Sequence, residues 1–180
     1  MTRLISAEAA PGFDHPLQML RACHEKILRQ CDTLQKLTEY LISKGCDAQA
    51  RQAALGILRY FDTAGQFHHQ DEELDLFPAL RAATNSVLLD RLLCEHALML
   101  ASWDALRPTL QLIAEGLDVT LDAALTEKFI DSYRDHIAIE NTELLPLASG
   151  MLSLQQMEQI GRKMAARRGA KFPDPIDTLR

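Results

Sequence analysis

Glycine and proline are scarce, with 8 and 7 in 180 residues, and β-branched runs are few. Sandwiches and barrels need frequent turns, so a Leu/Ala-rich text this poor in turn residues points to long helices instead. No apolar run approaches the ~20 residues of a membrane span. The opening stretch to Phe13 has one Arg and a short apolar patch broken by Glu8, too weak for a secretory signal. The four cysteines, Cys23, Cys31, Cys46 and Cys94, form no Cys-x-x-Cys pair, so neither a zinc knuckle nor a disulfide framework is indicated and a reducing cytoplasm fits best. A net charge of -6 argues against indiscriminate nucleic-acid binding.

That charge is uneven. Arg162, Lys163, Arg167, Arg168, Lys171 and Arg180 against Asp174 and Asp177 make the C-terminal segment +4 and the rest -10. Such a basic run suits the last turn of a helix, and it also offers a surface to a protein partner.

With 47% hydrophobic residues the chain can bury a real core within one ordinary domain. Asp14 and Pro16 read as the start of a first helix that carries Leu20, Ile27, Cys31, Leu34 and Leu41 to a stop at Gly45. A second is capped by Asp47 and runs through Phe77-Pro78 to about Ala82, followed by a Thr84-Asn85-Ser86 turn. The third runs from Val87 to Gly116, with Leu93 and Leu100 among its inward residues and a bend at Pro108. The fourth runs from about Leu121 to Ala148. The fold class is therefore all-α, an antiparallel up-down four-helix bundle over residues 1–150. A capping box, Ser153 with Gln156, opens an extra C-terminal helix, and residues 151–180 form that helix and an extended basic tail.

An apolar stripe should not hold ionisable side chains unless something compensates for their burial. At about 100° per residue, His68 and Glu72 fall on the inward stripe of the second helix, whereas His69 and Glu73 fall on its flank or outside. His136 and Glu140 fall likewise on the fourth, and His24 and His96 occupy inward rows of the first and third. The arrangement repeats: His24, then 44 residues later His68-x3-Glu72 with Pro78 six beyond; His96, then 40 residues later His136-x3-Glu140 with Pro146 six beyond. Two similar helical hairpins related by a pseudo-twofold would bring four imidazoles and two carboxylates together at mid-bundle.

Uncompensated, each buried carboxylate costs several kcal/mol, and a multivalent cation supplies the compensation. Four imidazole nitrogens and two carboxylates that each bridge make eight contacts, too many for one small ion. Two ions fit, with a shared oxo or hydroxo bridge and a position left for dioxygen, peroxide or nitric oxide. Mixed imidazole and carboxylate donors suit iron or manganese better than structural zinc. Ferritin-like bundles place Glu three residues before His, and no His here has that neighbour.

His24, His68-x3-Glu72-x3-Leu76-Phe77-Pro78, Glu95-His96 and His136-x3-Glu140-x3-Leu144-Leu145-Pro146 together resemble the signature of hemerythrin-like (HHE cation-binding) proteins over about residues 14–148. The resemblance implies a non-haem di-iron centre with His24, His68, Glu72, His96, His136 and Glu140 as ligands. Oxygen-carrying hemerythrins have a further His where this sequence has Leu100. The six-ligand set is more similar to variants linked to iron–sulfur cluster repair and to oxygen, nitric oxide or iron sensing. The resemblance thus implies a cytoplasmic protein that binds or reduces a small oxidant. Iron donation to damaged clusters, or a redox-dependent interaction through the basic tail, are its alternatives. Tyr133 and Glu143 lie where they could hydrogen-bond a ligand or a bridging oxygen, while His69 and His15 are read as non-ligands.

Overall fold

A computed structural model describes residues 11–84 and 86–173, and every regular element among them is helical. In chain order these are α1 (Pro16–Lys44), α2 (Ala48–Phe61), α3 (Ala64–Asp71), a π-helical turn π1 (Glu72–Leu76), α4 (Phe77–Arg81), α5 (Val87–Glu115), α6 (Ala123–Ile139), a second π-helical turn π2 (Glu140–Leu144), α7 (Leu145–Met151) and α8 (Leu154–Arg167). Segments α2 to α4 form one leg of a four-helix bundle and α6 to α7 another. The legs α1 and α5 complete it, with α2 and α6 each packed against both α1 and α5. The expected all-α bundle with an extra C-terminal helix is what the chain adopts. Among the described residues no helix is long and apolar enough to cross a membrane.

Local chemistry sets the ends. Asp47 accepts from the backbone N–H groups of Gln49 and Ala50, and Asp122 from that of Leu125, satisfying donors that a helix start leaves free. Ser153 and Gln156 form the expected reciprocal box. Gly116 ends α5 in the left-handed region, φ 96°, which a side chain would strain. The first helix differs from expectation at its start: His15, not Asp14, is the cap residue, and no side chain caps it. Helix α5 runs unbroken through Pro108. Leu100, expected inside, is 51% exposed, and Met99 takes the buried position. The extended tail inferred beyond Lys171 falls mostly in residues 174–180, outside those described, as does Asn85 of the turn.

The core comes in two parts. One packs Ile27, Leu34, Ile57, Phe61, Trp103 and Phe129 with their neighbours; the other packs Leu20, Leu76, Phe77, Leu80, Leu92 and Leu144. Each fully buried Leu, Ile or Phe stabilises the fold by about 1.5–3 kcal/mol. On every leg the sequence passes from one core to the other across a histidine: Leu20–His24–Ile27, Phe61–His68–Leu76, Leu92–His96–Met99 and Tyr133–His136–Leu144. A polar layer therefore separates two apolar ones.

Helix α8 lies outside this four-leg arrangement, against α1, α3 and π1. Its Gly161 passes so close to the chain entering α1 that a Cβ there would overlap the Phe13 carbonyl oxygen. Its basic end is committed inside the molecule. Arg167 and Arg168 both reach the fully buried Asp71, Arg167 and Lys163 both reach Asp75, and Arg162 pairs with Glu158 on the same helix.

Candidate metal centre

The two π-helical turns open on Glu72 and Glu140, and each is followed by a proline six residues beyond its glutamate. Pro78 and Pro146 have no N–H, and in a regular helix their rings would clash with the carbonyl four residues earlier. In both turns the residue before the proline donates five residues back, Phe77 to the Glu72 carbonyl and Leu145 to the Glu140 carbonyl.

His68 and Glu72, and likewise His136 and Glu140, are then four residues apart at the junction of an α-helix with its π turn. All six of His24, His68, Glu72, His96, His136 and Glu140 are buried, each 2% exposed or less. They form two groups of four that share both carboxylates: His24, His68, Glu72 and Glu140, and Glu72, His96, His136 and Glu140. Within each group, one potential donor atom per residue lies within 4.8 Å of all the others. His24 Nε2 is 3.1 Å from a Glu140 oxygen and His136 Nε2 is 3.0 Å from the other. His96 Nε2 is 3.4 Å and His68 Nε2 3.6 Å from opposite oxygens of Glu72.

Three imidazoles are oriented from behind. His96 Nδ1 donates to Glu73 at 2.7 Å, His136 Nδ1 to Glu95 at 2.8 Å and His24 Nδ1 to the Asn141 amide oxygen at 2.9 Å. Arg91 in turn holds Glu95 at 2.7 Å. An ionised carboxylate or an amide oxygen only accepts, so each Nδ1 carries a hydrogen and each Nε2 is turned inward, toward the buried carboxylates. Sequence periodicity had put Glu73 and Glu95 on the outside. The signal that could have found them was adjacency to a ligand-type residue, since Glu73 and Asn141 each directly follow a buried Glu and Glu95 directly precedes His96.

Imidazoles that face buried carboxylates hold their protons more tightly, and the electrostatics show it. Burial alone would lower His24 and His96, yet the facing carboxylates raise His24 to about 10 and His96, which also has Glu73 behind it, to about 9. His136 is raised too, by Glu140 against its own burial. His68, deeply buried beside His24, is pushed well below its ordinary value. Burial and then the charge of Glu140 push Glu72 up, whereas the imidazoles of His136 and His24 outweigh burial and hold Glu140 low.

Both carboxyl oxygens of Glu72 and of Glu140, together with His24 Nε2 and His68 Nδ1, are buried without a hydrogen bond of good geometry among the described residues. Leaving so many buried acceptors unpaired would be costly. A pair of cations between the imidazoles matches this donor set, and the residues present fit such a group.

The remaining expected neighbours divide. Tyr133 is buried, packed on Phe61 and Phe129 with its ring 5.8 Å from that of His69. Burial raises its hydroxyl pKa. Glu143 is exposed. A uniform 100° step puts it at the edge of the inward stripe, where ligand and surface roles are both open, and the π turn beginning at Glu140 rotates it outward. His15 is exposed and off the site. His69, read as lying on the flank, instead stacks on His96 at 4.0 Å between ring centroids.

A family model for the hemerythrin HHE cation binding domain matches residues 15–148. An uncharacterized protein of Haemophilus influenzae (strain ATCC 51907 / DSM 11121 / KW20 / Rd) is 35% identical over 171 residues, which cover 94% of this chain and 99% of that protein.

Proposed function

Because the chain belongs to the hemerythrin HHE cation-binding domain family, we propose that it is a non-haem di-iron protein that binds or reacts with a small oxidant, in a sensing or scavenging role. His24, His68, Glu72 and Glu140 would hold one ion and Glu72, His96, His136 and Glu140 the other, as two irons or as iron with manganese. When bound, such a pair supplies redox equivalents and open positions for dioxygen, peroxide or nitric oxide.

The observation that carries this reading is the inward set of Nε2 atoms converging on two buried carboxylates whose four oxygens have no hydrogen bond of good geometry among the described residues. Glu73, Glu95 and Asn141 fix the ring orientations and make the imidazoles stronger donors. Phe61 and Phe77 close the layer from the two cores and exclude bulk water, Phe77 lying 5.8 Å from His96 by ring centroids. Free thiols at Cys23, Cys31, Cys46 and Cys94 suit a reducing cytoplasm.

The deciding experiment is metal analysis of protein purified without added metal, followed by its optical response to azide and nitric oxide. Two irons per chain and an absorption spectrum that shifts with azide are expected. One zinc per chain and no iron would end the proposal.

A further inference from the structure

Resting on the metal-centre reading above, we propose that small uncharged diatomic molecules reach the centre through the cleft between α3–π1 and α5, and that the imidazole of His69 contacts them there. This cleft, of about 470 Å³, is lined by His69, Gln70 and Glu73 from one side and by Leu93, His96 and Leu100 from the other. His96 joins cleft to centre. It lines the cleft, and its Nε2 lies 3.0 Å from His136 Nε2.

His69 has no task in the arrangement already described. It belongs to neither group of four, so it is not placed as a ligand. Yet its Nε2 is fully buried and has no hydrogen-bond partner among the described residues, a state that costs free energy unless something arrives to fill it. The ring stacks on His96 at 4.0 Å and 12° between centroids, runs nearly parallel to that of Tyr133 at 5.8 Å and 19°, and lies 6.4 Å from the His136 ring. An imidazole so fixed, at the cleft wall and beside the centre, can hydrogen-bond a molecule arriving at the His96–His136 side.

The lining selects the class of visitor. Leu93, Ala97 and Leu100 are apolar, Gln66 and Gln70 are polar but uncharged, and Glu73 contributes the one carboxylate, which disfavours anions. The cavity between α1 and α6 offers no rival route, because none of the six converging residues lines it.

The test uses full-length, iron-loaded protein in its ferrous form, with nitric oxide as probe and stopped-flow absorbance and iron content as readouts. His69→Phe keeps a flat ring in the stack but no nitrogen. It should retain its iron and release nitric oxide about tenfold faster, the loss of one hydrogen bond. Leu100→Trp, at an exposed position, should slow nitric oxide association several-fold with iron content unchanged. Azide should associate more slowly than nitric oxide with the unaltered protein.

Loss of iron in His69→Phe would overturn the proposal by making His69 a ligand. Unchanged rates in both variants with iron in place would overturn it while leaving the metal-centre reading standing, and azide associating as fast as nitric oxide would overturn the preference for uncharged molecules. Failure of the unaltered protein to take up iron would overturn both readings.

Discussion

His96 and His136, from different legs of the bundle, face each other with their Nε2 atoms 3.0 Å apart while a carboxylate holds the Nδ1 of each. Each ring also has a carboxylate oxygen near its Nε2, Glu72 for His96 at 3.4 Å and Glu140 for His136 at 3.0 Å, so a cation, or a proton held between imidazole and carboxylate, would relieve the contact.

The anchors should therefore matter to metal binding more than to folding. Glu95→Gln lets the amide donate as well as accept and weakens the hold on His136. Iron affinity, measured by competition with a chelator, should fall about 10–100-fold, with helical content by circular dichroism unchanged. Because Glu95 is partly exposed, unfolding of the variant would count against the assignment.

Protonation should replace the metal in iron-free protein, with a defined sign. The folded-state pKa values of His24 and His96, about 10 and about 9, lie above the ordinary value of 6.5. The stability they contribute is whole below 6.5 and is lost as pH rises through 9 to 10, at up to about 1.4 kcal/mol per pH unit for each proton. Chemical denaturation between pH 6.5 and 10 should show this decline in iron-free protein. It should be shallower for His24→Gln, and iron-loaded protein, whose ligands have already given up their protons, should show little of it.

Glu72 should display opposite effects on stability and on binding. Its burial and the charge of Glu140 make its ionised form unfavourable. Glu72→Gln should raise or leave unchanged the melting temperature of iron-free protein while reducing iron to one ion per chain or fewer. A large fall in iron-free stability would contradict the electrostatic account.

Helix α8 should stabilise the metal-bearing leg through Asp71. That carboxylate is fully buried between Arg167 and Arg168, and burial still raises its pKa despite both partners. Replacing both arginines with Met leaves a buried charge unpaired and should cost about 3 kcal/mol in denaturant unfolding. The milder Asp71→Asn should cost less, because Arg167 can keep its bond to Asp75.

The six converging residues were legible because each lies on an apolar stripe at helical spacing, and the repeat of His-x3-Glu with a proline six beyond tied the two halves together. The bundle was legible for the same reason. Less legible was everything that depends on local departure from a uniform helix. Glu143 turns outward because a π turn intervenes, so an unvarying angular step misplaces it, whereas Leu100 is exposed and Met99 buried because the inward stripe of α5 runs through Leu92, His96, Met99 and Trp103. Glu73 and Glu95 read as surface residues because part of each is at the surface, with the rest reaching behind a histidine.

What the sequence determined by itself was composition and period: four amphipathic legs, their stops, and an imidazole or an imidazole–carboxylate pair on the inner face of each. Those follow from local backbone geometry and from the cost of burying charge. Which nitrogen of each ring faces inward, that His69 stacks on His96, and that the basic end of α8 closes on Asp71 were decided only in the tertiary structure. These contacts join residues on different helices, and their distances depend on how the legs pack rather than on any spacing along the chain.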